Sequence, residues 1–484
     1  MNAPGPGMMV ATERYPIADS ADLAARFPSD FRWGAATASY QIEGGAREGG
    51  RGVSIWDTFS HTPGRVLGGD TGDVACDHYH RWREDIAIMR ELGLDTYRLS
   101  LAWPRFQPTA DGGWNRGGTD FYRPLLEGLR EAGISPLVTL YHWDLPQWLE
   151  DRGGWAGRET PQRFGDYAAH VAAELGDLVD TWSTVNEPWT SAYLGYGFGV
   201  HAPGRSDPAA ALAAVHHLNL GHGLAARAIR AELGDSAKVS AALNLMALRP
   251  ADPDSDADRE AVRRLDALDN RAFTGPMLDG AYPEDLIADT AHVTDWSFVH
   301  DGDVDTAHVR LDLLGVNYYT TTTVRALGEG EAAIDDPRGQ DMAQCRVATE
   351  GIDCVPQAGE VTAMGWLVDP AGLRDTLVDL SRRYPDLPLV IMENGAAYDD
   401  EVVDGSVPDL DRTSYYSQHL SAVADARDAG ADVRGYCAWS LLDNFEWSWG
   451  YHKRFGIVRV DYATQERLIK GSARWYAEVI AACH

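Results

Sequence analysis

The chain has 484 residues and carries 42 basic against 73 acidic side chains, a formal net charge of −31. A surface that acidic repels phosphate backbones and anionic headgroups, so nucleic acids and membranes are excluded as expected partners. With 44% hydrophobic residues the chain can bury a large core, yet no apolar run is long enough to cross a bilayer.

Residues 1–26 are read as a loose N-terminal tail that lacks the basic and continuous apolar segments of a secretory leader. The expected setting is therefore cytoplasmic, and docking is expected to begin at Phe27. The five cysteines (Cys76, Cys345, Cys354, Cys437 and Cys483) are odd in number and contain no C-x-x-C pair. Reduced thiols are expected, not a disulfide framework or a zinc site.

From Phe27 onward, β-rich runs alternate with helix-like segments. The runs cover 31–44, 96–103, 135–143, 181–187, 238–245, 313–319, 387–394 and 433–442. Between them, segments such as 80–93 and 118–133 place apolar residues at three- and four-residue spacing. Strands alternating with helices imply right-handed βαβ units and a parallel sheet. Eight such units predict an α/β fold, a (β/α)8 TIM barrel, as a single domain over 27–484. No G-x-G-x-x-G opens the first helix, which weighs against an open dinucleotide-binding sheet. The stretches 251–260 and about 325–360 follow the fifth and sixth strands and read as loop insertions at the C-terminal face.

Strand ends of a parallel barrel converge on one mouth. In turn they offer Gln41 and Glu43, Arg98, the trio His142, Trp143 and Asp144, then Asn186 and Glu187, Asn244, Asn317 and Tyr319, Glu393 and Asn394, and Trp439. Amides, aromatics and a few ionisable groups suit a neutral polyol; a phosphate would want clustered Lys or a Gly-rich helix entry. Glycosidic cleavage needs a carboxyl group on each side of the scissile bond, and Glu187 and Glu393 supply such a pair. Alone, Glu187 could be a turn residue facing water; its company of Asn, His and Trp argues otherwise. His78 and His80 have a chelating spacing, but they begin a helix, where capping and packing are the simpler roles, and no metal is expected. Structural roles are also expected for His216, His217 and His222, and anchoring roles for Glu43 and Asp144.

The segments FRWGAATASYQIEG, YRLSLAWPR, HWDLPQWL, TVNEP, GVNYY, MENG and AWSLLDNFEWSWGYHKRFGIVRVD occur in this order. Together they resemble glycoside hydrolase family 1, the retaining β-glucosidases, over nearly the whole chain from Phe27. The resemblance implies that Glu187 is the acid/base and Glu393 the nucleophile. It implies that Gln41, His142, Asn186 and Glu446 bind hydroxyls of the terminal sugar, with Trp439 beneath it and Trp447 alongside. Trp143 is grouped with these, and Arg98, Asn317 and Tyr319 are placed around the nucleophile. Trp189, Asn244 and Trp366 are assigned to the leaving-group side. Val185 and Met392 stand where Phe and Thr are more usual, which should alter packing and not chemistry.

No cofactor is implied. The expected partner is a small β-glucoside or oligosaccharide, with homo-oligomerisation left open. Glu446 occupies the stretch where phosphoglycosidase relatives carry Ser, Lys and Tyr, which points to an unphosphorylated glycoside. Three other readings stand beside this one: a broader glycosidase acting mainly on β-galactosides or β-fucosides, a metal-dependent barrel enzyme, and a non-catalytic sugar-binding barrel.

Overall fold

Eight runs of largely apolar residues, most of them buried on both faces, form the strands. A computed structural model describes residues 16–111, 113–331, 347–356 and 358–484. The strands are β1 (Arg32–Ala36), β2 (Thr96–Ser100), β3 (Ser135–Tyr141), β4 (Thr181–Asn186), β5 (Val239–Asn244), β6 (Leu314–Asn317), β7 (Leu389–Asn394) and β8 (Val433–Trp439). They pair in sequence order into a closed barrel, every pair parallel. Closure comes from β1 against β8, in register from Arg32 opposite Gly435 to Ala36 opposite Trp439. The interior layer is built from β3, β5 and β7, whose Leu137, Ala242, Val390 and Met392 form one buried cluster. Alternate strands filling one layer is the packing rule of such barrels. Met392 belongs to that layer and Val185 is fully buried, so both unusual residues sit in the packing.

Helices follow the strands as α1 (His78–Glu91), α2 (Arg116–Glu131), α3 (Glu159–Leu175), α4 (Pro208–Leu233), α5 (Asp256–Asp266), α6 (Pro370–Arg383), α7 (Leu410–Asp428) and α8 (Gly471–Cys483). Two of them start with the same local device. Asp207 and Asp369 accept hydrogen bonds from first-turn amides, and Pro208 and Pro370 preset the helical φ. Among the described residues, no helix is long and apolar enough to cross a membrane.

Three expectations are corrected. The first strand stops at Ala36, and Ser39–Ile42 is a helical turn, so Gln41 and Glu43 are not strand residues. The Ser39 amide donates to Ser100 Oγ at 2.8 Å and its hydroxyl to Asp144 at 2.9 Å, which draws the chain off the ladder. The two insertions are also not separate surface loops. Strand 247–250 pairs with 321–326, which pairs with 352–355, and α5 covers this three-stranded sheet through Ala261 and Leu265 against Val324. Buried Asp258 accepts from the amides of Asp252 and Ala326, tying the first stretch to the second. Residues 332–346 and 357 of the second stretch lie outside the described residues. Finally, the tail is docked from Ile17 onward: Ile17 and Ala18 pack on the core, the Ala18 amide donates to Ser417 Oγ at 2.7 Å, Asp19 caps a turn over Ser20–Ala24, and Arg26 pairs with Asp425 and Asp428. Residues 1–15 are outside the described part.

Where β7 leaves the barrel, Gly395 passes directly under the end of β8. A Cβ built there would lie 1.7 Å from the Trp439 carbonyl oxygen, a rigid backbone atom. Gly395→Ala is therefore expected to force the two strand ends apart, lowering the melting temperature by an overpacking cost of about 1–3 kcal/mol. Because Glu393 and Trp439 sit on those ends, kcat/KM on an aryl β-glucoside should fall with it.

Candidate active site

Glu187 is the first residue beyond β4, and its amide donates to the Ala242 carbonyl of β5 at 2.9 Å. Its φ of 43° is a left-handed conformation that a non-glycine residue adopts only when its surroundings compel it. Trp143 and Trp447, at φ of 76° and 47°, share this feature. Backbone strain of this kind concentrates at functional sites. The Glu187 carboxyl is held from both sides: Asn317 Nδ2 donates to Oε1 at 2.8 Å and the Thr190 hydroxyl to Oε2 at 2.9 Å.

Glu393, near the end of β7, pairs with the Arg98 guanidinium through one oxygen and accepts from the Tyr319 hydroxyl at 2.7 Å through the other. Arg98 is wholly buried and its second nitrogen donates to Asn186 Oδ1. That oxygen also accepts from Asn317 Nδ2 at 3.0 Å, so one network runs Glu393, Arg98, Asn186, Asn317, Glu187. With its oxygen taken, Asn186 turns its amide nitrogen toward His142 Nε2 at 3.0 Å. Burial, reinforced by the Arg98 charge, pushes the imidazole pKa well below its ordinary value. A neutral ring that accepts at Nε2 carries its proton on Nδ1, and Nδ1 has no protein partner. Gln41 Oε1 and Asn317 Oδ1 are likewise buried without one. Unmatched buried polar atoms are costly unless a ligand completes them.

The carboxyl groups differ electrostatically. Burial, and then the charge of Glu393, raises the Glu187 pKa to about 8, against the opposing bonds from Asn317 and Thr190. Burial raises Glu446 to about 8 as well, with Glu393 and Glu187 adding to it. Tyr319 is pushed well above the usual phenol range, first by burial and then by Glu393, so it remains a donor.

A cavity of about 560 Å³ opens at this mouth. Of the residues given a catalytic, sugar-binding or leaving-group role, all line it except Gln41, Arg98 and Asn186, which lie just behind; Asn394, also expected at the mouth, is instead bonded to the Tyr318 carbonyl and to the Tyr415 and Tyr436 hydroxyls. Arg98 and Asn186 hold the carboxyls; Gln41 donates to Phe445 O at 2.9 Å and Asn444 Oδ1 at 3.1 Å and also faces Glu446, setting the loop after β8. Trp143 does more than border the site, since its indole N–H donates to the Asn186 carbonyl at 2.9 Å. Glu43 is paired with Arg105 and Tyr122, and Asp144 with Ser39, both away from the cavity. His78 meets Asp85, His216 meets Asp303, His217 meets the Trp155 carbonyl and His222 meets Thr184.

Sequence reasoning did not single out Thr190, Asp269 or the run Thr320–Thr323. Thr190 had a signal: a hydroxyl three residues past a glutamate at a helix start lies on the same face. The threonines had one too, directly after Tyr319. Asp269, which accepts from the Trp189 indole at 2.7 Å, is 80 positions away in sequence and had none.

A closed parallel barrel with an ion-paired carboxyl and a buried, proton-holding carboxyl at its mouth, among aromatic rings and unfilled amides, defines a carbohydrate-cleaving hydrolase. The chain belongs to glycosyl hydrolase family 1, whose profile matches residues 23–484, and it is a glycoside hydrolase of the retaining type. It is 49% identical over 464 residues to the bifunctional β-D-glucosidase/β-D-fucosidase of Bifidobacterium breve, covering 94% of this chain and 98% of that one. Identity to the thermostable β-glucosidase B of Thermobispora bispora is 50% over 457 residues, 94% of this chain and 90% of that protein. The crystal structure of the psychrophilic β-glucosidase from Micrococcus antarcticus superposes with a TM-score of 0.91 at 46% identity, covering 96% and 99% of the two chains.

A general acid works while protonated, so activity should be lost as pH rises through the Glu187 pKa. The basic limb of kcat/KM is expected near pH 8. In Glu393→Gln the neighbouring charge is gone, and the Glu187 pKa followed by NMR should drop. An unchanged value would break the proposed coupling.

Proposed function

We propose that the protein removes terminal non-reducing β-D-glucosyl residues from β-glucosides and short cello-oligosaccharides by double displacement. The observation that carries this reading is the unequal carboxyl pair: Glu187 raised to about 8 and Glu393 clamped by Arg98 and Tyr319. In the first step a Glu393 oxygen attacks the anomeric carbon while Glu187 gives its proton to the departing oxygen. The C1–O bond to the leaving group breaks, and a glycosyl ester forms on Glu393. Esterification cancels the Glu393 charge, so the proton affinity of Glu187 falls and it becomes a base. It then takes a proton from water, whose oxygen attacks C1 and frees Glu393. A retaining pair requires a separation of about 5–5.5 Å, close enough for the mutual repulsion seen in the pKa of Glu187.

Support for an unphosphorylated substrate is firmer than simple repulsion by Glu446. With its pKa raised to about 8 by burial, that carboxyl is not a fixed anion at neutral pH. Among the described residues lining the cavity there is no Lys or Arg, so a 6-phosphate would be buried without a counter-charge. A carboxyl that can accept from two hydroxyls also tolerates either C4 configuration, and the B. breve relative is named for glucosidase and fucosidase activity. Substantial β-fucosidase activity is therefore a second reading. We also infer a cytoplasmic setting, supported by the acidic surface.

Glu393→Ala should lose nearly all hydrolysis of an aryl β-glucoside, and added azide should restore turnover with the α-glycosyl azide as product. Normal turnover by this variant would end the nucleophile assignment.

A further inference from the structure

The cavity walls next to Glu187 are held by residues that do not line the cavity. Trp189, which does, donates its indole N–H to Asp269 Oδ1 at 2.7 Å, with both residues buried. One turn along from Trp189, the Tyr193 hydroxyl donates to the Leu268 carbonyl at 3.2 Å. The neighbour of Asp269 grips a second wall. Asn270 Oδ1 accepts from the Met246 amide at 2.8 Å and its Nδ2 donates to the Met246 carbonyl at 3.0 Å. Met246 lines the cavity together with Asn244 and Leu245.

Asp269 and Asn270 lie on one π-helical turn, Ala267–Arg271. Consecutive helical side chains diverge by about 100°, so the two reach different walls from a single turn. The turn itself is braced: Asn270 also donates to Asp266 at 2.9 Å, and Arg271 pairs with Asp266 and Asp285. A second π-helical stretch, Thr190–Gly197, carries the partner side. Such turns are uncommon and recur at functional sites.

Topology says what these walls face. Trp189 is two residues beyond the proton donor, and Met246 follows β5, whose Ala242 carbonyl takes the Glu187 amide. The oxygen that receives the Glu187 proton therefore departs along them, while Glu393, Trp439 and Glu446 come from β7, β8 and the loop beyond. We propose that Asp269 and Asn270 are positioning residues that set leaving-group selectivity by fixing Trp189 and Met246 as walls for a flat, apolar aglycone. The proposal rests on the β-glucosidase reading above. Removing the Asp269 acceptor breaks the hydrogen bond that orients the buried indole.

Double displacement isolates the effect, because the leaving group is present only in the first step. Dinitrophenolate is so good a leaving group that kcat for 2,4-dinitrophenyl β-D-glucoside is expected to report hydrolysis of the glycosyl-enzyme, a step that does not sense the clamp. In Asp269→Leu and Asn270→Asp, kcat/KM for phenyl relative to methyl β-D-glucoside is expected to fall about tenfold or more, while kcat for the dinitrophenyl substrate and inhibition by 1-deoxynojirimycin stay within about threefold. Asp269→Asn keeps an acceptor for the indole and should retain the wild-type ratio. If Asp269→Leu does not fold, Asn270→Asp carries the test alone. An unchanged phenyl-to-methyl ratio overturns the proposal, as does an equal loss on both substrates and the inhibitor. Failure of the wild-type enzyme to cleave any β-glucoside would instead overturn the functional reading.

Discussion

Arg98 is the charge on which the site depends. It is fully buried on the second strand, and taking a guanidinium out of water costs on the order of several kcal/mol unless anions and acceptors meet it. Glu393 and Asn186 meet it from the seventh and fourth strands. Compensation of one buried charge thus brings three separated strands to a common point. The groups proposed for catalysis are arranged outward from there: Glu393 by direct pairing, Glu187 by way of Asn186 and Asn317, and His142 through the amide that Asn186 has left over.

The same charge explains why two chemically identical side chains stand in opposite electrostatic surroundings. Glu393 has a guanidinium and a phenol within hydrogen-bond distance, whereas Glu187 has only neutral donors and faces the charge of its partner. A third carboxyl, Glu446, experiences the other two and is raised with Glu187. Two carboxyls raised by burial thus stand beside one that is ion-paired, and a neutral sugar with many hydroxyls can meet all three without importing charge. Acidic surface and acidic site are then different matters: the first disperses into solvent, and the second is held by burial.

The sequence made the barrel legible because its signals are local and repeated. Each strand is a short, largely apolar run with polar residues gathered toward its end, and TVNEP and MENG show both proposed catalytic carboxyls directly. Local signals failed where a side chain overruled them. Ser39 reads as continuing the first strand, yet bonds to Ser100 and Asp144 turn it into a helix. The acidic stretch after β5 reads as solvated surface, yet Asp258 is buried against amides from both itself and residue 326. The Asp269–Trp189 bond has no sequence counterpart at all, since its partners meet only after two loops have folded against each other.

Closing the barrel by its first and last strands has a temporal consequence. The pair β1–β8 joins residues about four hundred positions apart, and the Tyr476 hydroxyl of the last helix bonds the carbonyls of both Gly34 and Tyr436. Contacts of such separation form late, after the loop-closure entropy of the intervening chain has been overcome. Gln41 reaches the loop beyond Trp439 across the same seam. A nascent chain emerging from the ribosome therefore carries both Glu187 and Glu393 before the strand that bears Trp439 has joined them. The wall of the cavity that Trp439 supplies is thus added last, with the strand that closes the barrel.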